Sequence, residues 1–120
     1  LVMLLGVGDV YRIEEVYDAF SFSGMLAMED IGLCKKGEVG PFVAEGHTAP
    51  GGSIPVNTGG GHLSGFYMQG MTPVHEAITQ VRGFGGDRQV AKNDIGLVTG
   101  SGGRMEFHAA MIVSPHAKLN

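Results

Sequence analysis

The sequence has few of the residues on which several classes of protein depend. A single cysteine, Cys34, excludes an internal disulfide framework and a cysteine-rich zinc site, and it is typical of a reducing compartment such as the cytoplasm. The basic residues form no cluster beyond Lys35-Lys36 and the net charge is -4, so we expect no nucleic-acid partner. The longest apolar run near the start, residues 1–5, is too short for a membrane span.

Glycine, in contrast, is abundant, with 21 residues in clusters that lack a collagen-like period. The 43% of hydrophobic and 17% of charged residues are typical of one globular domain with a hydrophobic core. A domain of this size buries only about 60 to 70% of the surface of its unfolded chain, so an active site formed by it alone would be hard to stabilise. We therefore expect a partner surface.

Hydrophobic periodicity predicts the elements of the first half. Residues 2–5 form a continuous apolar run before a glycine turn, which favours a buried strand. Residues 12–33 contain no proline and carry apolar side chains at three- and four-residue steps, which predicts one helix that Gly32 ends. Residues 35–61 hold most of the prolines and predict an ordered loop region with a short strand at residues 41–44.

The second half has clearer boundaries. Thr72-Pro73 predicts a helix start and Gly83 its end, with apolar residues at helical spacing between them. Residues 94–99 and 105–113 are β-rich runs separated by a glycine turn, which indicates a hairpin. The order of strand, helix, loop, helix and hairpin predicts an α/β domain with helices layered on a mixed β-sheet.

Residues 57–65 are the most informative segment, with the sequence Asn-Thr-Gly-Gly-Gly-His-Leu-Ser-Gly. Three consecutive glycines let the backbone approach a ligand or another chain closely. The same glycines suit a purely structural turn before a helix, and the spacing alone does not choose between these two interpretations.

Three segments resemble catalytic segments of the thiolase superfamily. The C-terminal signature of thiolases has an Asn before a Gly-Gly pair and a catalytic His six residues beyond that pair, and here Asn57, Gly60-Gly61 and Tyr67 occupy those positions. Tyr17-Asp18-Ala19-Phe20 is similar to the Asn-Glu-Ala-Phe stretch of thiolases, with Tyr17 in place of the Asn. Residues 99–103 resemble the hairpin that carries the acid/base cysteine, but they contain no cysteine.

Together with residues 29–32 and 80–83, these replacements resemble the lipid-transfer-protein-like branch of the superfamily, especially the aldolases that shorten steroid side chains. The resemblance implies a thiolase-like C-terminal domain over residues 1–120 within a longer chain. It implies retro-aldol cleavage of a β-hydroxyacyl-CoA thioester, such as that of a steroid side chain, with acyl-CoA as substrate and no cofactor. It also implies a thiolase-type homodimer and an OB-fold accessory protein.

The resemblance also assigns roles to individual residues. It implies that Tyr17 and Tyr67 are the catalytic acid/base pair, and it implies substrate-binding positions at Asn57, Gly60, Gly61, His62, Gly102 and Gly103. Without the resemblance, two tyrosines near helix starts are more often half-buried packing residues with satisfied hydroxyls than catalysts. The remaining histidines lack ligand spacing, so we expect no metal site. Asp18 is expected to be a solvated or capping carboxylate.

Two alternatives to the lyase stay open. One is an acyl-CoA acyltransferase whose nucleophilic cysteine lies outside these residues, although Tyr67 in place of the activating histidine weighs against it. The other is a noncatalytic lipid or acyl-CoA carrier, in which the glycine loops only shape a pocket.

Overall fold

The computed structural model describes residues 11–116 of the chain. In chain order its elements are β1 (Ile13–Glu15), α1 (Ser21–Asp30), α2 (Val39–Ala44), α3 (Gly61–Ser64), α4 (Met71–Val81), β2 (Gly96–Gly102) and β3 (Phe107–Val113), with a 3-10 turn at Gly86–Arg88 before β2. The strand predicted at residues 2–5 lies outside the described residues.

The three strands form one mixed sheet in the order β1-β2-β3. β1 pairs with β2 in parallel, whereas β2 and β3 form an antiparallel ladder from the pair Gly96 and Val113 to the pair Gly102 and Phe107. Helix α4 packs against β1 and β2. The predicted α/β class, with helices packed on a mixed sheet, is confirmed.

The single helix predicted over residues 12–33 is wrong in its first half. β1 consists of three buried residues, Ile13, Glu14 and Glu15. The strand pairs with β2, and Glu14 also forms an isolated β-bridge with Val56. A strand that is covered on both faces has no alternation of apolar and polar residues, so its pattern does not identify it. The helical part begins only at Ser21, and Gly32 follows its end in the left-handed conformation, as predicted.

The strand predicted at residues 41–44 is also wrong, because these residues belong to helix α2. Pro41 is the third residue of this helix. The first backbone N–H groups of a helix have no partner within it, so a proline there removes no hydrogen bond. The proline content of the segment therefore indicated a loop where a short helix forms.

The predictions for the second half are confirmed with small shifts. α4 begins at Met71, one residue before Thr72, and Gly83 follows its end with a φ of 74°. The hairpin forms as predicted, with its turn at residues 103–106. These elements were predictable because a helix stop and a hairpin turn are both encoded by neighbouring residues.

The buried hydrophobic residues include two packed clusters. Tyr11, Ile54 and Leu97 are the buried members of the first, and Val16, Met28 and Val39 are those of the second. β3 lies at the sheet edge, and all its residues except Val113 are exposed. Between residues 11 and 116 there is no helix long and apolar enough to cross a membrane.

Candidate active site

Tyr17 and Tyr67 meet at the surface of the domain, although 50 residues separate them in the sequence. Tyr17 follows the last residue of β1 by two positions, and Tyr67 lies in the turn between α3 and α4. Their hydroxyl oxygens are 3.0 Å apart, which is a hydrogen-bond distance. The structure thus brings together the two residues that were predicted as the acid/base pair.

Both tyrosines line an open cleft of about 630 Å³. The turn of the β2–β3 hairpin forms another wall, to which Gly102 and Gly103 contribute, so two predicted binding glycines lie beside the tyrosines. The remaining lining residues are mostly small or apolar: Ala19, Phe20, Ser23, Gln69, Gly70, Ser101 and Met105. The cleft therefore presents two phenol groups to a space lined by both apolar and polar side chains.

The tyrosine pair has a defined acid–base character. The hydrogen bond with Tyr67, together with partial burial, raises the pKa of Tyr17 above its usual value. Tyr17 is therefore protonated at neutral pH and is available as a proton donor. A phenol that is hydrogen-bonded to a second phenol can also exchange its proton with that neighbour.

His62 lies beneath the two tyrosines. The centre of its ring is 4.5 Å from that of Tyr17 and 5.0 Å from that of Tyr67. Its side chain is only 1% exposed, and Asp18 Oδ1 accepts hydrogen bonds from its backbone N–H, at 2.7 Å, and from its Nδ1, at 2.9 Å. Nε2 lies 2.5 Å from the carbonyl oxygen of Gln69. His62 does not line the cleft but supports its two phenol rings from inside.

Asp18 was expected to be a solvated or capping carboxylate. It is not solvated, since the residue is 8% exposed, but it does cap α3, because it accepts the backbone N–H of His62 in the first turn of that helix. Its position explains why Gly61 is a glycine: a Cβ there would overlap the carboxyl oxygens of Asp18, and the φ of Gly61 is 59°. Gly60 precedes α3 with a φ of 93°, which favours glycine. Gly60 and Gly61 were predicted to bind substrate, but they stand outside the cleft lining and shape the backbone below it.

Asn57 also stands outside the cleft lining. Its side-chain oxygen accepts a hydrogen bond of 2.8 Å from the backbone N–H of Val16, next to Tyr17. Asn57 itself has a φ of 51°, a left-handed conformation that asparagine tolerates better than most residues. This hydrogen bond therefore ties the backbone next to Tyr17 to the loop that precedes α3.

A buried carboxyl network lies on the other side of this loop. Thr58 bonds to Glu15 through its backbone N–H and its hydroxyl, and the same hydroxyl is 2.9 Å from Glu76. Burial raises the pKa of Glu15 to about 8. Burial alone would also raise the pKa of Glu76, but hydrogen bonds from Arg88, Gln80 and Thr58 outweigh it and lower that pKa.

Glu14 is the most isolated acid of the described residues. It is fully buried in β1, and neither of its carboxyl oxygens has a hydrogen-bond partner between residues 11 and 116. Burial, followed by the nearby Glu15, raises its pKa well above the usual value. Glu15, with its pKa of about 8, therefore favours the protonated form at neutral pH.

Sequence reasoning missed Asp18, Gln69 and the network of Glu15 and Glu76. One signal was present for Asp18: it follows β1, and side chains just beyond the carboxyl ends of parallel strands commonly form sites. The helix predicted over residues 12–33 concealed this signal. The contacts of Gln69 and Glu76 depend on how α4 packs, which no local pattern encodes.

Cys34 does not take part in the site. It lies outside the cleft lining, and burial, with the nearby Glu29 and Glu38, raises the pKa of its thiol, which disfavours the nucleophilic thiolate. Among residues 11–116 no group of three His, Cys, Asp or Glu side chains is arranged to hold a metal ion. The chemistry available in the described cleft is therefore that of two phenols above a buried histidine.

Comparison with known proteins identifies the class to which this fold belongs. Residues 5–115 match the family model described as "Thiolase C-terminal domain-like". The chain belongs to this family. The predicted membership of the thiolase superfamily is thereby confirmed.

Individual relatives differ in their activities. The chain is 39% identical over 107 residues to an acetyl-CoA acetyltransferase of Methanothermobacter thermautotrophicus, covering 84% of this chain and 28% of that protein. It is 40% identical over 68 residues to the 17-hydroxy-3-oxo-4-pregnene-20-carboxyl-CoA lyase of Mycobacterium tuberculosis, covering 57% of this chain and 18% of that protein. A steroid side-chain-cleaving aldolase of Thermomonospora curvata is likewise 40% identical over 68 residues, covering 57% of this chain and 17% of that aldolase.

A solved structure described as "Ltp2-ChsH2(DUF35) aldolase" has the same fold. It superposes with a TM-score of 0.82 at 29% identity, covering 96% of this chain and 29% of that chain. This chain thus spans less than a third of the relatives and of the structure to which it is compared.

Proposed function

We propose that the protein containing this chain is a thiolase-fold lyase that performs retro-aldol cleavage of a β-hydroxyacyl-CoA thioester. The observation that carries this proposal is the 3.0 Å contact between the hydroxyl groups of Tyr17 and Tyr67 at the cleft. The named lyase and aldolase relatives support the same reaction class. No covalent nucleophile is required, because the reaction needs only proton transfer and stabilisation of an enolate.

The tyrosine pair acts as a relay in which one proton enters as another leaves. The substrate hydroxyl gives its proton to Tyr67, Tyr67 gives its own to Tyr17, and Tyr17 protonates Cα. The electron pair of the substrate O–H bond forms the new carbonyl group at Cβ. The electron pair of the broken Cα–Cβ bond first forms the thioester enolate and then the new C–H bond at Cα. Both phenols end neutral. The raised pKa of Tyr17 supports its role as the donor to Cα.

The acyl group of the substrate is bulky and apolar in this proposal. Phe20 and Met105 line the cleft, and Gly102 and Gly103 leave space where side chains would otherwise project. Steroid substrates are named for two relatives, which supports a sterol-like acid here. Gly102 and Gly103 remain our candidates for substrate contacts, whereas His62, Asn57, Gly60 and Gly61 support the site from behind.

The rest of the enzyme comes from outside this chain. The exposed residues of β3, with Phe107 at 71% and Ile112 at 57%, support burial of this strand by another part of the protein. A thiolase-type homodimer and an OB-fold accessory protein complete the assembly we propose, and the name of the superposed structure supports an accessory component. The single cysteine supports a cytoplasmic location.

An acyltransferase is the second candidate, because an acetyl-CoA acetyltransferase matches 84% of the chain. It would need a nucleophilic cysteine outside the described residues, and neither tyrosine would be essential. Acyl transfer that is abolished by thiol alkylation would favour it.

The lyase is tested by replacing single tyrosines in the full-length protein. Tyr17→Phe and Tyr67→Phe should each lower kcat for cleavage by about 10²- to 10⁴-fold, the usual contribution of acid–base catalysis, while substrate binding is retained. Tyr11→Phe is the matched control, because Tyr11 is the third tyrosine and lies buried in the core. Full activity in both site variants would favour a carrier or an acyltransferase.

A further inference from the structure

The histidine beneath the tyrosines has an unusual set of partners. Nδ1 faces a carboxyl oxygen of Asp18 at 2.9 Å, and Nε2 faces the carbonyl oxygen of Gln69 at 2.5 Å. A backbone carbonyl only accepts hydrogen bonds, so Nε2 donates to Gln69. Because Nδ1 is at hydrogen-bond distance from Asp18, the ring is held at both ends.

The contact between His62 and Asp18 is shielded from solvent. The His62 side chain is 1% exposed and that of Asp18 is 11% exposed, so the two side chains lie together below the surface. Asp18 also accepts the backbone N–H of His62, which fixes the direction of the carboxyl group. Buried polar side chains are stable where hydrogen bonds satisfy them, as they do here.

The same ring touches both phenols. Its centre is 4.5 Å from that of Tyr17 and 5.0 Å from that of Tyr67, with interplanar angles of 52° and 59°. Gln69, which accepts from Nε2, has a φ of 50° and lines the cleft. The ring therefore joins three parts of the chain. These are the segment after β1, with Tyr17 and Asp18, helix α3, and the turn that contains Tyr67 and Gln69.

We propose that His62, in contact with Asp18 at one ring nitrogen and bonded to Gln69 at the other, is the positioning residue that holds the hydroxyls of Tyr17 and Tyr67 at hydrogen-bond distance. This inference rests on the proposed tyrosine relay and adds a residue that is not in contact with substrate. Asp18 positions the histidine, and the histidine positions the phenols. A small displacement of either phenol would break the relay, because proton transfer requires the oxygens to stay within about 3.2 Å.

The position of the ring is tested without any activity measurement. The full-length protein is labelled with ¹⁵N-histidine, and cross-relaxation from the ring of His62 to the rings of Tyr17 and Tyr67 is measured. Both tyrosine rings should give cross-relaxation with His62, whereas the exposed His75 should give none with either tyrosine. A His62 ring without contact to either tyrosine would overturn the proposal.

The variant Asp18→Asn tests the carboxyl group while it keeps the shape of the side chain. Asparagine keeps an oxygen that can accept the backbone N–H of His62 but replaces the other carboxyl oxygen with an NH2 group, so the contact with the ring should weaken and kcat should fall. If Asp18→Asn leaves kcat unchanged, the pair has no positioning role.

If His62 only positions the phenols, its replacement should lower kcat and leave KM almost unchanged. His62→Gln, which can bond to Asp18 or to Gln69 but not to both, should lower kcat by about 10- to 100-fold and leave KM within about threefold, as expected when catalytic groups are misplaced by about 1 Å. His75→Gln on the exposed face of α4 is the matched control and should be neutral. An unchanged kcat in His62→Gln would also refute the proposal.

Failure of this inference can be told apart from failure of the lyase. If Tyr17→Phe and Tyr67→Phe abolish cleavage but His62→Gln does not, the relay stands without the positioning residue. If the tyrosine variants are fully active, the proposed function fails whatever the role of His62.

Discussion

Asp18 and Glu15 are buried acids only three residues apart, yet they have opposite surroundings. Asp18 faces the ring of His62 and accepts two hydrogen bonds from that residue. Glu15 is bonded only to Thr58, and its neighbours Asp18 and Glu76 are acidic. A buried carboxyl group with acidic neighbours favours its proton. Two nearby positions thus carry one carboxyl group that joins the site to α3 and one that is buried among other acids.

The largest effect expected from this contrast is a loss of stability with rising pH. Burial raises the pKa of Glu15 from 4.5 to about 8, so the folded state binds this proton more tightly than the unfolded state. The free energy of unfolding therefore falls as the pH rises from 4.5 to about 8, and it levels off above that pH. At 1.36 kcal/mol for each pKa unit, the total loss is about 5 kcal/mol. Glu14 acts in the same direction.

Denaturant unfolding of the full-length protein between pH 5 and pH 9 measures this effect. Glu15→Gln should flatten the profile, since glutamine has no proton to lose. Glu106→Gln is the control, because Glu106 is exposed near the hairpin turn, and it should leave the slope unchanged. A slope that persists in Glu15→Gln would assign the dependence to other groups.

A smaller effect is expected from Gly61→Ala, which tests the Asp18 side of the comparison. The added methyl group would overlap the carboxyl group of Asp18, and the backbone has a φ of 59°. Overpacking and left-handed strain together should cost about 3 kcal/mol in the free energy of unfolding.

Gly32→Ala is the matched control, because its φ is 82° but no atom lies within 4 Å of the added carbon. It should lose only about 1 kcal/mol, from backbone strain alone. Equal losses in the two variants would mean that Gly61 is not required by its closeness to Asp18.

The smallest effect concerns Thr58→Val, which removes the hydroxyl between Glu15 and Glu76 but keeps the shape of the side chain. Above pH 8 the loss should be about 2 kcal/mol, the usual contribution of a hydrogen bond to a charged group. Thr79→Val is the control: its hydroxyl bonds only to a carbonyl within α4, and the change should stay within about 0.5 kcal/mol. Indistinguishable denaturation midpoints for the two variants would contradict the network.

Sequence patterns identified those parts of the fold that are encoded by neighbouring residues. The end of α4 and the β2–β3 hairpin followed from Gly83 and from the glycine turn between two β-rich runs. β1 was missed because its residues are all buried and show no period, and α2 was missed because Pro41 lies where a helix tolerates it. Both misses are cases in which tertiary context overrides a local signal.

The tyrosine pair was identified by resemblance to a family, not by spacing. The contact between Asp18 and His62 joins residues 44 positions apart, and it could not be predicted while residues 12–33 were interpreted as one helix. In such a helix Asp18 would project away from the site. In the structure it follows a parallel strand and turns inward.

The central claim is that the two phenols act as one relay, and the double variant Tyr17→Phe/Tyr67→Phe tests it most directly in steady-state kinetics of the full-length protein. If the phenols act as a unit, the double variant should have a kcat within about threefold of the slower single variant, because the loss of either hydroxyl already interrupts the relay. A double variant whose loss is the product of the two single losses would contradict the account, since the tyrosines would then act independently.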